Sequence, residues 1–185
     1  MNFLIYGLGS IGRRHAGILS EKEGNKIYAC RSGKSVSNMP EKFPFTEIDP
    51  SDNLADYEID GALITNPTSL HVESALRIAE YGIPMFIEKP LGKDLNDIKR
   101  LQDITEKKNI PVLMGYNFLH HSGIKLIKKL IKENKIGKVI SAKSQFGTYM
   151  PDWHKNEDYK KSYASNADMG GGVVLTSIHE QNYLT

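Results

Sequence analysis

The sequence has only one cysteine, Cys30, so it cannot close a disulfide within the chain, and no cysteine and histidine spacing resembles a zinc site. No metal is expected, and a reducing compartment suits such a chain. No apolar run approaches the roughly 20 residues that a membrane-spanning helix requires, so no membrane role is expected. Charge of one sign is also scarce: 24 Lys and Arg stand against 22 Asp and Glu, a net +2, without the clustered positive field that nucleic acid demands. The first residues, Asn2 to Tyr6, run straight into Gly7 and Gly9 and leave no room for the basic region, apolar core and cleavage site of a secretion signal. The expected location is the cytoplasm. Internal repeats and low-complexity tracts are missing as well. At 185 residues, with 39% hydrophobic and 25% charged side chains, the chain suits one large globular domain, or one complete domain and part of a second.

What is present is an alternation of short apolar runs with helical patterns as far as about residue 115, the mark of a parallel sheet built from βαβ units. Strands are predicted at Phe3 to Tyr6, Lys26 to Cys30, Ile59 to Thr65, Ile83 to Ile87 and Pro111 to Gly115. A weak, short strand is placed near Phe43 to Thr46, where Pro40, Pro44 and Pro50 break the pattern. The first helix opens at Ser10 and Ile11. A second carries Val72, Ala75, Leu76 and Ala79 on one face and ends at Gly82; a third is capped by Asp94 and carries Leu95, Ile98, Leu101 and Ile104. Beyond Gly115 the pattern changes to a helix from Ser122 to about Asn134, then a β-like run from Val139 to Tyr149. The lysines at 125, 128, 129, 132 and 135 read as the wet face of that amphipathic helix. Because Thr185 falls inside what reads as a continuing helix, the second domain is expected to be incomplete.

Gly7-Leu8-Gly9-Ser10-Ile11-Gly12 matches G-x-G-x-x-G between a predicted strand and a predicted helix. The first glycine permits a tight turn, the second admits a pyrophosphate to the backbone, and the third lets helix and strand approach; the helix N-terminus supplies free N–H groups. A glycine-rich turn would share the pattern, but the βαβ setting favours dinucleotide binding. At the end of the second strand, where an acid would take the ribose hydroxyls of NAD, stand Arg31 and Ser32. A guanidinium and a hydroxyl suit a 2′-phosphate, so NADP is favoured over NAD; a solvated loop arginine is the plainer alternative.

Glu88-Lys89-Pro90 lies at a strand's carboxyl end, where open α/β sheets bind ligands. A lysine there does acid–base work if its surroundings lower its pKa, and Glu88 is placed to orient it. His179, after Gly170-Gly171-Gly172 and an apolar run, is either a proton-transfer group or a structural histidine. His15 and His71 read as packing residues beside the nucleotide site. The adjacent His120 and His121 point in different directions and read as non-ligands.

Together GLGSIGRRH, TNPTSLH, IEKPLG and GGGVVLTSIHE resemble the glucose-fructose oxidoreductase, inositol dehydrogenase and MocA family (Gfo/Idh/MocA), in the family's order along nearly the whole chain. The resemblance implies an α/β fold: a Rossmann domain, residues 1–116, with a doubly wound parallel sheet. The beginning of an α+β domain, residues 117–185, follows, with a mainly antiparallel sheet that serves substrate and oligomer contacts. It implies an NAD(P)-dependent oxidoreductase acting on the CH–OH groups of a sugar, cyclitol or sugar nucleotide, and a homo-oligomer where that second domain is complete. Carried over by position, Lys89 and His179 are the catalytic pair, and Thr65, Asn66 and His71 match the segment flanking the nicotinamide ribose. Glu88 is the neighbour of Lys89 in the Glu-Lys-Pro motif and counts with it among the cofactor contacts. Where the family often has an aspartate shortly before the histidine, this chain has Thr176, which can hydrogen-bond a substrate hydroxyl but holds no charge. The stretch from Gln145 to Val173 looks like a branch associated with surface-polysaccharide sugars. Asn117, Trp153, His154, Tyr159, Tyr163 and Thr176 are the candidate substrate contacts, the aromatics among them being equally readable as core or interface. A chain that binds the dinucleotide without turnover, or an inactive fragment, is the alternative to an enzyme.

Overall fold

The computed structural model describes residues 1–32, 42–153 and 158–185. Its centre is a six-stranded, wholly parallel sheet formed by β1 (Asn2–Tyr6), β2 (Lys26–Cys30), β3 (Thr46–Glu47), β4 (Gly61–Ile64), β5 (Met85–Ile87) and β6 (Val112–Met114). The spatial order is β3-β2-β1-β4-β5-β6, the doubly wound Rossmann arrangement whose order reverses beside β1. Helices α1 (Ser10–Ser20), α2 (His71–Glu80) and α3 (Leu95–Lys107) make the crossovers.

Alternation along β1 decides which face each residue serves. Leu4 and Tyr6 join Ile64, Ile87, Val72, Ala75, Ile78 and Leu101 in the larger core, whereas Ile5 joins Leu8, Ala16, Ile27 and Ala29 in the smaller. Leu4, Ile5, Ile64, Ile78 and Ile87 are wholly buried, and each such side chain contributes about 1.5–3 kcal/mol of transfer free energy. Gly82 leaves α2 with φ +68°, a left-handed exit that suits glycine. Asp94 caps α3 by accepting from the Asn96 amide at 2.8 Å.

Sequence and structure differ at the shorter strands. β3 lies at Thr46–Glu47, displaced from Phe43 to Thr46: Pro44 offers no N–H for pairing, and the register joins Tyr28 with Thr46 and Ala29 with Glu47. β4 and β5 are trimmed at their starts, since pairing begins only where Gly61 faces Phe3 and Met85 faces Ala62.

From Asn117 onward the architecture changes. A 3-10 turn (Asn117–His120) leads to α4 (Ser122–Lys132), none of whose residues is buried. Its lysine-bearing face is wet, but so is its apolar stripe of Leu126, Ile127 and Ile131. The run from Val139 to Tyr149 forms no strand, contrary to its pattern, and the antiparallel sheet expected after residue 116 is not seen among the described residues. The reason is physical: β propensity supplies side chains suited to a pleated surface, but a strand needs a neighbouring backbone to take its N–H and C=O groups. Three short α-helices, α5 (Met150–Trp153), α6 (Val173–Thr176) and α7 (His179–Leu184), and two 3-10 turns at Tyr163–Ser165 and Ala167–Met169 complete the described chain. Among the described residues no helix is long and apolar enough to cross a membrane.

Candidate active site at the carboxyl edge of the sheet

The carboxyl ends of β1, β4 and β5 lie side by side, because the backbone ladder continues one step past each strand. The Thr65 amide donates to Tyr6 O, and the Glu88 amide to Ile64 O, both at 2.9 Å. Gly7, Thr65 and Glu88 are thereby delivered to one ledge. At its β1 end the glycine turn is tightly built. A Cβ on Gly12 would stand 2.0 Å from Gly7 O and 2.6 Å from Thr65 Oγ1, so nothing larger than hydrogen fits between helix and strand. The Thr65 hydroxyl locks the turn by donating to Gly7 O at 2.6 Å. Gly9, by contrast, faces open space, with no atom within 4 Å of where its Cβ would be, and it gives α1 no side-chain cap. Ser10 and Ile11 are exposed beside it. Uncapped amides at a helix N-terminus with open space before them fit a dinucleotide pyrophosphate.

Behind this turn, His71 is bolted between two loops. Its Nδ1 lies 2.8 Å from Pro90 O and its Nε2 2.8 Å from Asn66 O. Burial pushes its pKa down despite those two acceptors, so it tends to the neutral ring, which has one N–H to offer. Asn66 spends its amide on Ser74 Oγ at 2.8 Å, leaving a buried Oδ1 with no partner among the described residues.

At the β5 end Glu88 is held from two sides. His15 Nε2 on α1 donates to Glu88 Oε1 at 3.1 Å, and the Lys89 amide donates to Oε2 at 3.2 Å. His15, which reads from sequence as a packing residue, also meets Phe86 edge to face at 5.1 Å. The Lys89 side chain reaches the second region, donating from Nζ to Thr176 O at 2.8 Å. Burial lowers its pKa, against the opposing pull of Glu88 and Glu180. His179 is likewise pushed towards the neutral form, by burial first and by the Lys89 charge second. Its ring packs 4.9 Å from Phe118, and its buried Nδ1 has no partner among the described residues. Thr176 Oγ1 and Asn182 Oδ1 are buried and unpartnered in the same way. Thr176, His179 and Asn182 repeat every third residue, a spacing visible in the sequence that marks Asn182 as an omission from the candidate set. Phe118 was missed too, and nothing local signals it.

The glycine triplet brings the second region here: a Cβ on Gly170 would stand 2.7 Å from Thr68 Cβ, and the Lys93 ammonium donates to Asp168 O at 3.1 Å. The candidate substrate contacts are more scattered. Asn117 is exposed, its amide donating to Gly115 O at 3.1 Å. Tyr159 lies under the Lys160 ammonium at 5.9 Å, Tyr163 is exposed, and Trp153 ends α5. His154 lies outside the described residues. Among the described residues no group of His, Cys, Asp and Glu could hold a metal ion. Burial pushes the Cys30 thiol up to about 11, which makes it a poor nucleophile.

At the β2 end Arg31 meets an acid that the sequence does not announce. Its Nη2 donates to Glu47 Oε2 at 2.8 Å, and its guanidinium lies 5.3 Å from the centre of the Phe45 ring. Ser32 is exposed alongside.

The family model of the Gfo/Idh/MocA proteins, an oxidoreductase family with an NAD-binding Rossmann fold, matches residues 1–116. The chain belongs to that family. This Gfo/Idh/MocA chain is 26% identical over 183 residues to the 2,7-anhydro-N-acetylneuraminate hydratase of Mediterraneibacter gnavus, covering 97% of its own length and 47% of the relative's. It is 25% identical over 191 residues to the glucose-6-phosphate 3-dehydrogenase of Bacillus subtilis, covering 98% and 54%. Its fold superimposes on the crystal structure of myo-inositol 2-dehydrogenase from Lactobacillus plantarum with a TM-score of 0.64 at 28% identity, over 76% of this chain and 43% of that one. The chain spans about half the length of the curated relatives it matches.

Proposed function

We propose that this chain carries the cofactor site and part of the substrate site of an NAD(P)-dependent oxidoreductase acting on the CH–OH group of a sugar, cyclitol or sugar nucleotide. Residues 1–116 act as the dinucleotide domain, and residues 117–185 begin a domain for substrate and oligomer contacts, working in the cytoplasm. One observation carries the reading: Lys89 Nζ is held 2.8 Å from Thr176 O on the ledge shared with the uncapped α1 N-terminus.

The Gly9 to Gly12 amides hold the pyrophosphate, Thr65, Asn66 and His71 border the nicotinamide ribose, and Arg31 with Ser32 favours NADP over NAD. When bound, the nicotinamide supplies the hydride acceptor or donor. Lys89 holds the substrate oxygen with its ammonium, and neutral His179 accepts the hydroxyl proton at Nδ1 during oxidation and returns it during reduction. Thr176 and Asn182 offer their side-chain oxygens to neighbouring hydroxyls.

The test is a titration with NAD(H) and NADP(H), followed by a screen of sugars and sugar nucleotides for a change in reduced-nicotinamide absorbance, beginning with surface-polysaccharide sugars. Turnover that falls by about 10²–10⁴ in Lys89→Ala supports the reading. The neutral Thr176, set against two proton-handling groups, favours one rival: a chain that binds the cofactor without turnover. Binding with no turnover on the whole panel would establish that rival.

A further inference from the structure

We propose that Glu47 sets the choice between NAD and NADP by restraining Arg31, so that the site admits both cofactors in place of selecting NADP strictly. The inference rests on the dinucleotide reading above and assigns a specificity role to a residue on the neighbouring strand.

The end of β2 is where an open α/β dinucleotide fold reads the adenosine ribose, through an acid for a 2′-hydroxyl or an arginine for a 2′-phosphate. This chain brings both chemistries to one place. Arg31 directly follows β2, and Glu47 is the last residue of β3, paired in register with Ala29 and followed by an Ile48 amide that donates to Ala29 O at 3.0 Å. The ladder therefore fixes the carboxylate beside the guanidinium, with Oε2 2.8 Å from Nη2. Phe45 supports the guanidinium at 5.3 Å. Both charged side chains remain accessible, at 32% and 51% exposure, so an incoming ligand can reach the pair.

A 2′-phosphate carries a charge of about −1.5 to −2 near neutral pH. To engage Arg31 it must share a guanidinium already donating to Glu47, and it must settle close to a like charge. A 2′-hydroxyl meets no such repulsion and can donate to the carboxylate itself. Glu47 thus lowers the advantage that Arg31 gives to the phosphorylated cofactor.

The affinities of the full chain for NAD⁺ and NADP⁺, measured by calorimetry at one fixed salt concentration, test this. In Glu47→Gln the NADP⁺ to NAD⁺ affinity ratio is expected to rise about 1.5- to fivefold, the scale of one exposed ion pair. Adding Arg31→Ala to that variant should abolish the gain. Glu47→Ala should move the ratio in the same direction, and thermal denaturation shows whether either variant is folded. A ratio unchanged in both folded variants, or one that falls because the carboxylate orients the arginine for phosphate, overturns the role of Glu47 and leaves the dinucleotide site standing. Failure of the unmodified chain to bind either dinucleotide overturns the site itself.

Discussion

The two parts of this chain meet the same requirement with opposite results. Up to Met114 every strand has a partner, and the central strand β1 is covered on both faces, with Leu4 and Ile5 wholly buried on opposite sides of the sheet. After Asn117 an amphipathic helix buries none of its residues, and a run outside any strand or helix leaves Ile140 with 93% of its side chain exposed. The difference teaches that apolar periodicity states what an element would bury, whereas neighbouring backbone and a matching face determine whether it does. Local pattern was similar in the two regions, but packing differed.

The largest test of that contrast is a pair of truncations. Ile64→Ala should cost about 2–5 kcal/mol in urea denaturation, since it empties a wholly buried site between β1 and β5. Ile140→Ala, with equal loss of atoms, should stay within about 0.5 kcal/mol. Equal costs would mean that the second region packs its apolar side chains after all.

Acid should probe both parts together, because each holds one histidine below its ordinary pKa, His71 and His179, with burial the first cause in both. The unfolded chain binds protons that the folded one resists. The stabilisation is therefore complete above pH of about 6.5, the ordinary histidine value, and erodes as pH falls from there through the lower folded values. Urea midpoints measured at intervals from pH 7.5 to 5 should decline, and His71→Asn, although less stable at neutral pH, should decline less steeply. An unchanged slope in that variant would remove His71 from the account. A smaller effect tests the ordered region alone: Asp94→Ala should cost about 1 kcal/mol by leaving the α3 N-terminus uncapped, read from the same denaturation curves.

Much of the first region was legible because its signals are local. Lys26–Cys30 is a strand with the expected ends, Gly82 and Asp94 mark helix boundaries, and G-x-G-x-x-G sits between strand and helix. β3 starts three residues and ends one residue later than expected, because prolines on either side obscure a two-residue strand defined only by its register with β2. Lys89, Thr176 and His179 each stood out in the sequence as candidates, but the contacts that bring the candidates together did not. Lys89 and Thr176 are 87 positions apart, His15 and Glu88 are 73 apart, and neither spacing has a periodicity to reveal it. Glu47 escaped for the same reason: an acid on an obscured strand gives no sign of the arginine it will meet.

Lys89 is moored to the main chain of residue 176 and makes no hydrogen bond with the Thr176 hydroxyl. A peptide carbonyl is common to all twenty amino acids, so mutation at that codon can redraw the contour offered to a ligand while the ammonium stays anchored. On the catalytic role proposed for Lys89, the mooring separates what must persist from what can drift: side chains at position 176 are free to vary without loosening the ammonium.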